Sequence, residues 1–408
     1  MSVTPNGLDV YSRYMDDMFD LKDVIGVPTV WQQFYGKSQF GNSKTIYSPF
    51  SEVIDIDLIG ANERTAKLIP RGTDSRHTGD IQRNTTTQYF TTKNMVFPFA
   101  EELGDISANQ INKRLAGENP YEGQDKISRL RKLALEHHKE HIRRYVRLFE
   151  LLAGSSLLTG QMPAILGTNN PDLIYDWGRN AALTITPTVA WNNAAADIIG
   201  DIDNAFDLVR QLGKVKFNLM FMARDVSHAF FNDATIQKLA DNRRITLVQV
   251  GEGIQVPQMF SDLVAAGADY LGYIGTPQGR RLDLFCYNDF YDDPDGVSQP
   301  YMPDGTAFLA YYGARCDRYF GPSERLPLVS TDMAWYSEMF GFSPLSVPFP
   351  DKIMAPGIVT PDMFYCDAYQ SGDKKKVTVR TQSAPIFATT QTNAFATLNN
   401  LIEGEVSS

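Results

Sequence analysis

The sequence predicts a mixed α+β fold, and three stretches carry that prediction. Asn119 to Gly154 keeps helical periodicity with no proline beyond its first turn. Val53 to Leu58 alternates as a strand, and Lys376 to Ala388 repeats the β-favouring pattern near the other end of the chain. Helix and strand signals in separate blocks point to mixed layers rather than a repeating βαβ array.

The helical stretch opens Asn119-Pro120-Tyr121-Glu122, with a capping Asn, Pro at the first helical position and Glu at the third. Ile127, Leu130, Ala134, His138, Ile142, Tyr145, Phe149 and Leu152 then recur every three or four positions and share one face. Such a helix is about 50 Å long, a spine rather than one element among equals. Between Glu122 and Ser155 lie eight basic and five acidic residues, in a chain whose net charge is −10.

Before the spine, residues 1–45 read as an extended arm that is stable only when it lies on something else. Ile54, Ile56 and Leu58 share one strand face, with Asp55 and Asp57 opposite. Thr85 to Phe99 is rich in Thr, Tyr, Phe and Val and forms the returning strand. Arg64 to Arg83 between them is polar without period, so the pair makes a long hairpin whose tip buries little of itself. Glu101 to Leu115 reads as a linker, helical in part.

After the spine, Ala182 to Thr186 alternates as a strand. Residues 195–212 form an amphipathic helix ending at Gly213. Phe217 to Met222 is a buried strand and Val226 to Leu239 a second helix. Apolar and turn-rich segments alternate onward through Leu247–Val250, Leu263–Ala266, Leu282–Tyr287 and Thr306–Tyr312. The strand pattern near the end returns to complete an earlier sheet.

Composition narrows the function classes. A chain of 408 residues with 43% hydrophobic and 21% charged residues is a folded protein large enough for two or three domains. Its 24 Phe and 19 Tyr fit large buried or subunit-contact surfaces. No apolar run approaches the ~20 residues of a membrane span, and the first residues lack a signal-peptide pattern. Cys286, Cys316 and Cys366 are scattered, which fits a reducing cytoplasm. The acidic balance argues against nucleic-acid binding as the main task and leaves a local basic face open.

Catalytic motifs are weak. His137, Glu140 and His141 match the His-x-x-Glu-His pattern of zinc peptidases, which makes a zinc-dependent hydrolase an alternative reading. That site needs a third ligand, and beyond this cluster histidine offers only His77 and His228. Gly36-Lys37-Ser38 ends like a phosphate loop, but Trp31 stands where its first glycine belongs. A calcium loop over Asp292–Gly296 would start at Tyr291 and close at Met302, neither of them a ligand. There is no Gly-x-Ser-x-Gly elbow, and Gly251-Glu-Gly253 reads as a turn. No catalytic residue, cofactor or metal is assigned.

Arm, polar-tipped hairpin, spine, mixed α/β region and returning strand follow in one order. Three motifs accompany it: Ile174-Tyr-Asp-Trp-Gly-Arg179 followed by Trp191, Tyr301-Met-Pro-Asp-Gly-Thr-Ala-Phe-Leu309, and Gln382-Ser-Ala-Pro-Ile386. Together they resemble the lambda-type capsid protein E family of tailed phages, with the Hong Kong 97-like fold. The resemblance implies an N-terminal arm at 1–45 and an extended loop at 46–104. It implies a peripheral domain at 105–194 with 374–408, and an axial domain at 195–373. It also implies pentamers and hexamers of this chain in an icosahedral shell that encloses phage DNA without reading its sequence. A separate scaffold, a portal and a decoration protein are the partners the family brings. The shell belongs to the virion and is assembled in the host cytoplasm. An encapsulin-like cargo shell is the related alternative. Subunit contacts are expected at Ile54, Ile56, Leu58, Arg71, Arg76, Tyr89, Phe90, Arg129, Arg143 and Arg147.

Overall fold

The computed structural model describes residues 27–35, 43–48, 52–59, 90–113, 126–164, 174–242, 257–275, 280–293, 296–311, 313–322, 363–370 and 376–403. The spine is an α-helix from Lys126–Thr159, 34 residues long. Its expected Asn119 cap lies outside the described residues. The predicted face is the buried one: Leu130, His138, Ile142, Tyr145, Phe149 and Leu152 all face the interior.

The helix runs through Gly154 instead of stopping there. A side chain on Gly154 would lie 2.8 Å from the Trp31 ring, so this glycine makes room for an indole rather than ending a helix. The stop comes at Gly160, whose φ of +74° is the left-handed geometry of a helix C-terminus.

Three sheets pack around the spine. The largest has six strands, in the order Thr184–Ile185, Phe395–Leu398, Ala307–Ala310, Leu219–Met222, Arg281–Cys286 and Asp269–Gly275. Its three central strands are buried along their whole length, which explains their continuous apolar runs. Met220 and Met222 are core residues, in keeping with the buried strand expected from Phe217 to Met222. This sheet takes Thr184–Ile185 and Phe395–Leu398 from the segments expected to be peripheral and joins them to strands expected to be axial.

A helix at Ile198–Leu212 flanks it, capped by the Asp197 carboxylate, which accepts from Gly200 N at 3.0 Å. The helix expected from Val226 to Leu239 is two, Arg224–Asn232 and Ala234–Asn242. Asp233 divides them: its Oδ1 accepts from the amides of Thr235 and Ile236, a fresh N-cap in the middle of an apolar pattern.

The second sheet orders Tyr365–Gln370, Lys376–Ser383 and Ala100–Ser107. Ala100–Ser107 therefore corrects the reading of Glu101 to Leu115 as a partly helical linker. Among its described residues only Ala108–Asn112 is helical, opened by a capping box between Ser107 and Gln110. The strand was hidden because Leu103 points outward while Gly104 and Ile106 point in. The third sheet joins Thr45–Tyr47, Asp317–Phe320 and Pro385–Ala388. The returning strand thus breaks at Ala384 and serves two sheets, while Phe395–Leu398 serves the six-stranded one.

The hairpin pairs Val53–Ile59 antiparallel with Phe90–Val96, from Val53 opposite Val96 to Ile59 opposite Phe90. Its tip lies outside the described residues. In the arm, the described part is not extended over a surface. Trp31–Phe34 forms a 3-10 turn, with Trp31 and Phe34 buried in the same core as the spine and the six-stranded sheet.

Candidate assembly interface

Four buried polar arrangements hold the spine in place, and what remains exposed around it is the candidate interface. The first centres on Glu150. It sits in the apolar run Leu148-Phe-Glu-Leu-Leu152, so the helix carries it straight into the core, fully buried. Its carboxylate accepts from Trp31 N at 2.6 Å, Gln32 N at 3.1 Å, the Gln32 side-chain amide at 3.2 Å and the Tyr287 hydroxyl at 3.0 Å. Burial raises its pKa from the ordinary 4.5 to about 7, against the pull of these four donors. One carboxylate therefore ties the arm's 3-10 turn and the strand-following Tyr287 to the spine.

The second is Arg179, in the Ile174–Arg179 motif. Its guanidinium donates to the carbonyls of Leu157, Leu158 and Leu183 and to the hydroxyls of Thr184 and Thr397. Leu157 and Leu158 belong to the last turn of the spine, whose carbonyls have no intrahelical partners. Burial lowers the Arg179 pKa to about 10.

The third is the histidine cluster. His138 and His141 are buried, and both Nδ1 atoms lie on Thr381 Oγ1, at 3.2 and 3.1 Å. His137 and His141 face Gly104 so closely that a side chain there would lie 2.8 Å from the His137 ring. Glu140 turns outward and pairs with Arg144 at 2.6 Å, and Arg144 also reaches Glu102 at 3.1 Å. Burial pushes the His141 imidazole below its usual range. The would-be zinc ligands are thus packed against a strand or turned to solvent. Among the described residues no three His, Cys, Asp or Glu gather to hold a metal. The zinc-hydrolase alternative is not favoured: His138 and His141 form the packing face between helix and sheet.

The fourth is Tyr145, whose hydroxyl lies 3.0 Å from Ala100 O and 2.8 Å from Thr381 O, bridging two adjacent strands.

Of the residues expected at subunit contacts, Ile56 and Leu58 are buried within the single chain. This chain's own core covers them, and Ile54 is half-buried against it. Arg129 is half-buried and donates to Ile111 O at 3.2 Å, holding the short helix onto the spine. Arg143 and Arg147 are exposed. The Phe90 backbone pairs with Ile59, and Arg71, Arg76 and Tyr89 lie outside the described residues.

Sequence reasoning missed the apolar surface at the hairpin root. Val53 and Val96, paired across the two strands, are 38% and 55% exposed, and Phe99 and Leu103 follow at 39% and 54%. Alternation could have found it, since these residues fall opposite the buried set. Glu150 was missed because its partners lie more than 100 positions away.

No helix among the described residues is long and apolar enough to cross a membrane. No curated protein sequence matches the chain. Among solved structures, the protein assigned as the capsid protein of an E. coli CFT073 prophage is similar at 15% identity. The match covers 98% of this chain and 99% of that one, with a TM-score of 0.59. The capsid of Ralstonia phage GP4 is similar at 13% identity over 94% and 93%, with a TM-score of 0.44. The first of these carries the fold, a mixed helix-and-sheet capsid fold of the Hong Kong 97-like kind. The sequence itself matches the profile of phage major capsid protein E over residues 30–331. The role that follows is structural, the formation of a capsid shell, and the chain belongs to the phage major capsid protein E family.

Proposed function

We propose that this chain builds the icosahedral head shell of a tailed phage around double-stranded DNA, assembling in the host cytoplasm as pentamers and hexamers. The observation that carries the finer reading is the exposed Val53–Val96 pair at the root of a hairpin whose opposite face is already buried. A strand pair that spends one apolar face on its own core and leaves valines on the other is suited to receive a second copy. With Phe99 and Leu103 it forms the contact proposed for a neighbouring subunit. Arg71, Arg76 and Tyr89, farther along the same loop, extend it. Residues 1–45 act as the arm, 46–104 as the extended loop, 105–194 with 374–408 as the peripheral region and 195–373 as the axial region. A separate scaffold and a portal complete the assembly.

Electron microscopy of the purified chain, alone and co-expressed with its scaffold, tests this. Closed shells, tubes or ring capsomers are expected. A strictly monomeric protein in every condition would refute it. Particles recovered from producing cells should contain DNA; a packaged enzyme in its place would favour a cargo shell.

A further inference from the structure

The long helix has eight basic and three acidic residues in a chain of net charge −10. One of those acids, Glu150, is buried, and another, Glu140, is matched by Arg144. Between Lys132 and Arg147, projected at 3.6 residues per turn, the outward face is an arc of about 80°, which turns into the core beyond them at Glu150. It holds Lys132, Lys139, Arg143 and Arg147, all exposed, with half-buried Arg129 beside them and Glu136 as the carboxylate of that arc. From Lys132 to Arg147 the row is about 22 Å long. It is a basic stripe on an acidic molecule.

Two partners fit a basic stripe: an acidic polypeptide or a nucleic-acid backbone. They differ in what surrounds the charge. A protein interface has an apolar centre with charge at its rim. The large apolar side chains exposed among the described residues are Tyr47, Val53, Val96, Phe99, Leu103, Val264, Tyr273, Phe290 and Val297, and none lies on this helix. Charge without an apolar footprint suits phosphates, which are held by counterion release rather than by burial.

We propose that Lys132, Lys139, Arg143 and Arg147 form a sequence-independent contact with the phosphate backbone of double-stranded DNA. Arg143 and Arg147 are thereby reassigned from subunit contact to the packaged polymer. The placement of this face toward the shell's interior rests on the head-shell reading; the binding chemistry does not.

The test uses the full-length chain below the concentration at which particles form, and a labelled 30-base-pair duplex of mixed sequence followed by fluorescence anisotropy. Four phosphate contacts predict that affinity falls about 100-fold between 50 and 200 mM NaCl. The variant K139Q/R143Q/R147Q should lose most of that dependence, leaving about a fourfold fall, while K139R/R143K/R147K behaves as wild type. Circular dichroism and urea unfolding confirm that both variants are folded. Equal affinity and salt slope in the glutamine variant would overturn the proposal. So would tighter binding of polyglutamate than of DNA by the wild-type chain, which would reassign the stripe to an acidic protein. Electron microscopy of the same variant separates the two readings. Shells that form normally but lack the salt-dependent contact support the proposal, whereas a wild-type chain that binds DNA but never forms particles removes the head-shell reading alone.

Discussion

The indole of Trp31 occupies the space that any side chain on Gly154 would need, with Trp31 Cδ1 2.8 Å from the position of a Cβ. The ring cannot retreat, because Phe221, Phe308 and Tyr287 crowd it at centroid distances of 5.3 to 5.4 Å. Gly154→Ala gains up to about 1 kcal/mol in helix propensity but overpacks this contact at a cost of about 1–3 kcal/mol. A net loss is expected in urea unfolding. In a Trp31→Leu background the same change should become neutral or stabilising; a loss of equal size there would sink the steric explanation.

Glu150 makes stability depend on pH with a definite sign. Folding raises its pKa from 4.5 to about 7, so the folded chain holds this proton more tightly than the unfolded one. The resulting stabilisation is full below about pH 4.5 and is lost as the pH rises through about 7. Its size is on the order of 3 kcal/mol. Unfolding free energies of wild type and Glu150→Gln, compared from pH 4.5 to 8, should diverge by that order, with wild type losing ground as pH rises. A constant difference across the range would show that the carboxyl does not titrate there.

Arg179→Lys is expected to destabilise by about 3 kcal/mol or more. A lysine ammonium has no planar fork with which to reach the carbonyls of Leu157 and Leu183 together. Thermal unfolding reads the loss, and a midpoint equal to wild type would mean that the spine's last turn needs no such cap.

Thr381→Val removes the hydroxyl shared by His138 and His141. The expected loss is about 1–3 kcal/mol, while treatment of wild type with a chelator should leave the unfolding midpoint where it was. A large chelator-induced drop would restore the metal reading of this cluster.

Deleting Arg71 to Asp80 should leave the subunit's unfolding midpoint intact and weaken shells, read by microscopy and by heat dissociation of particles. A subunit that unfolds on this deletion would make the loop part of a core.

What the sequence made legible were features that a single segment decides alone. The spine's buried face from Leu130 to Leu152, the Ile54–Leu58 alternation and the end of the 195–212 helix at Gly213 needed no distant partner. Errors arose where a distant residue decides the outcome. Gly154 read as a stop because Trp31 lies 123 positions earlier. Ala100–Ser107 looked like a linker because its partner strand begins at Lys376. Glu150 looked like one charge among several because its donors come from Trp31, Gln32 and Tyr287.

The sheet order also sets a schedule for synthesis. Thr45–Tyr47 pairs with Asp317–Phe320, which is bordered in turn by Pro385–Ala388, and Phe395–Leu398 lies between Thr184–Ile185 and Ala307–Ala310. A ribosome adding about 5–20 residues per second takes roughly 20–70 s to pass from the first of these strands to the last. Until then the three-stranded sheet lacks an edge strand and the six-stranded sheet lacks an interior one, so neither can be completed. Almost the whole chain must therefore be made before either sheet has all its strands.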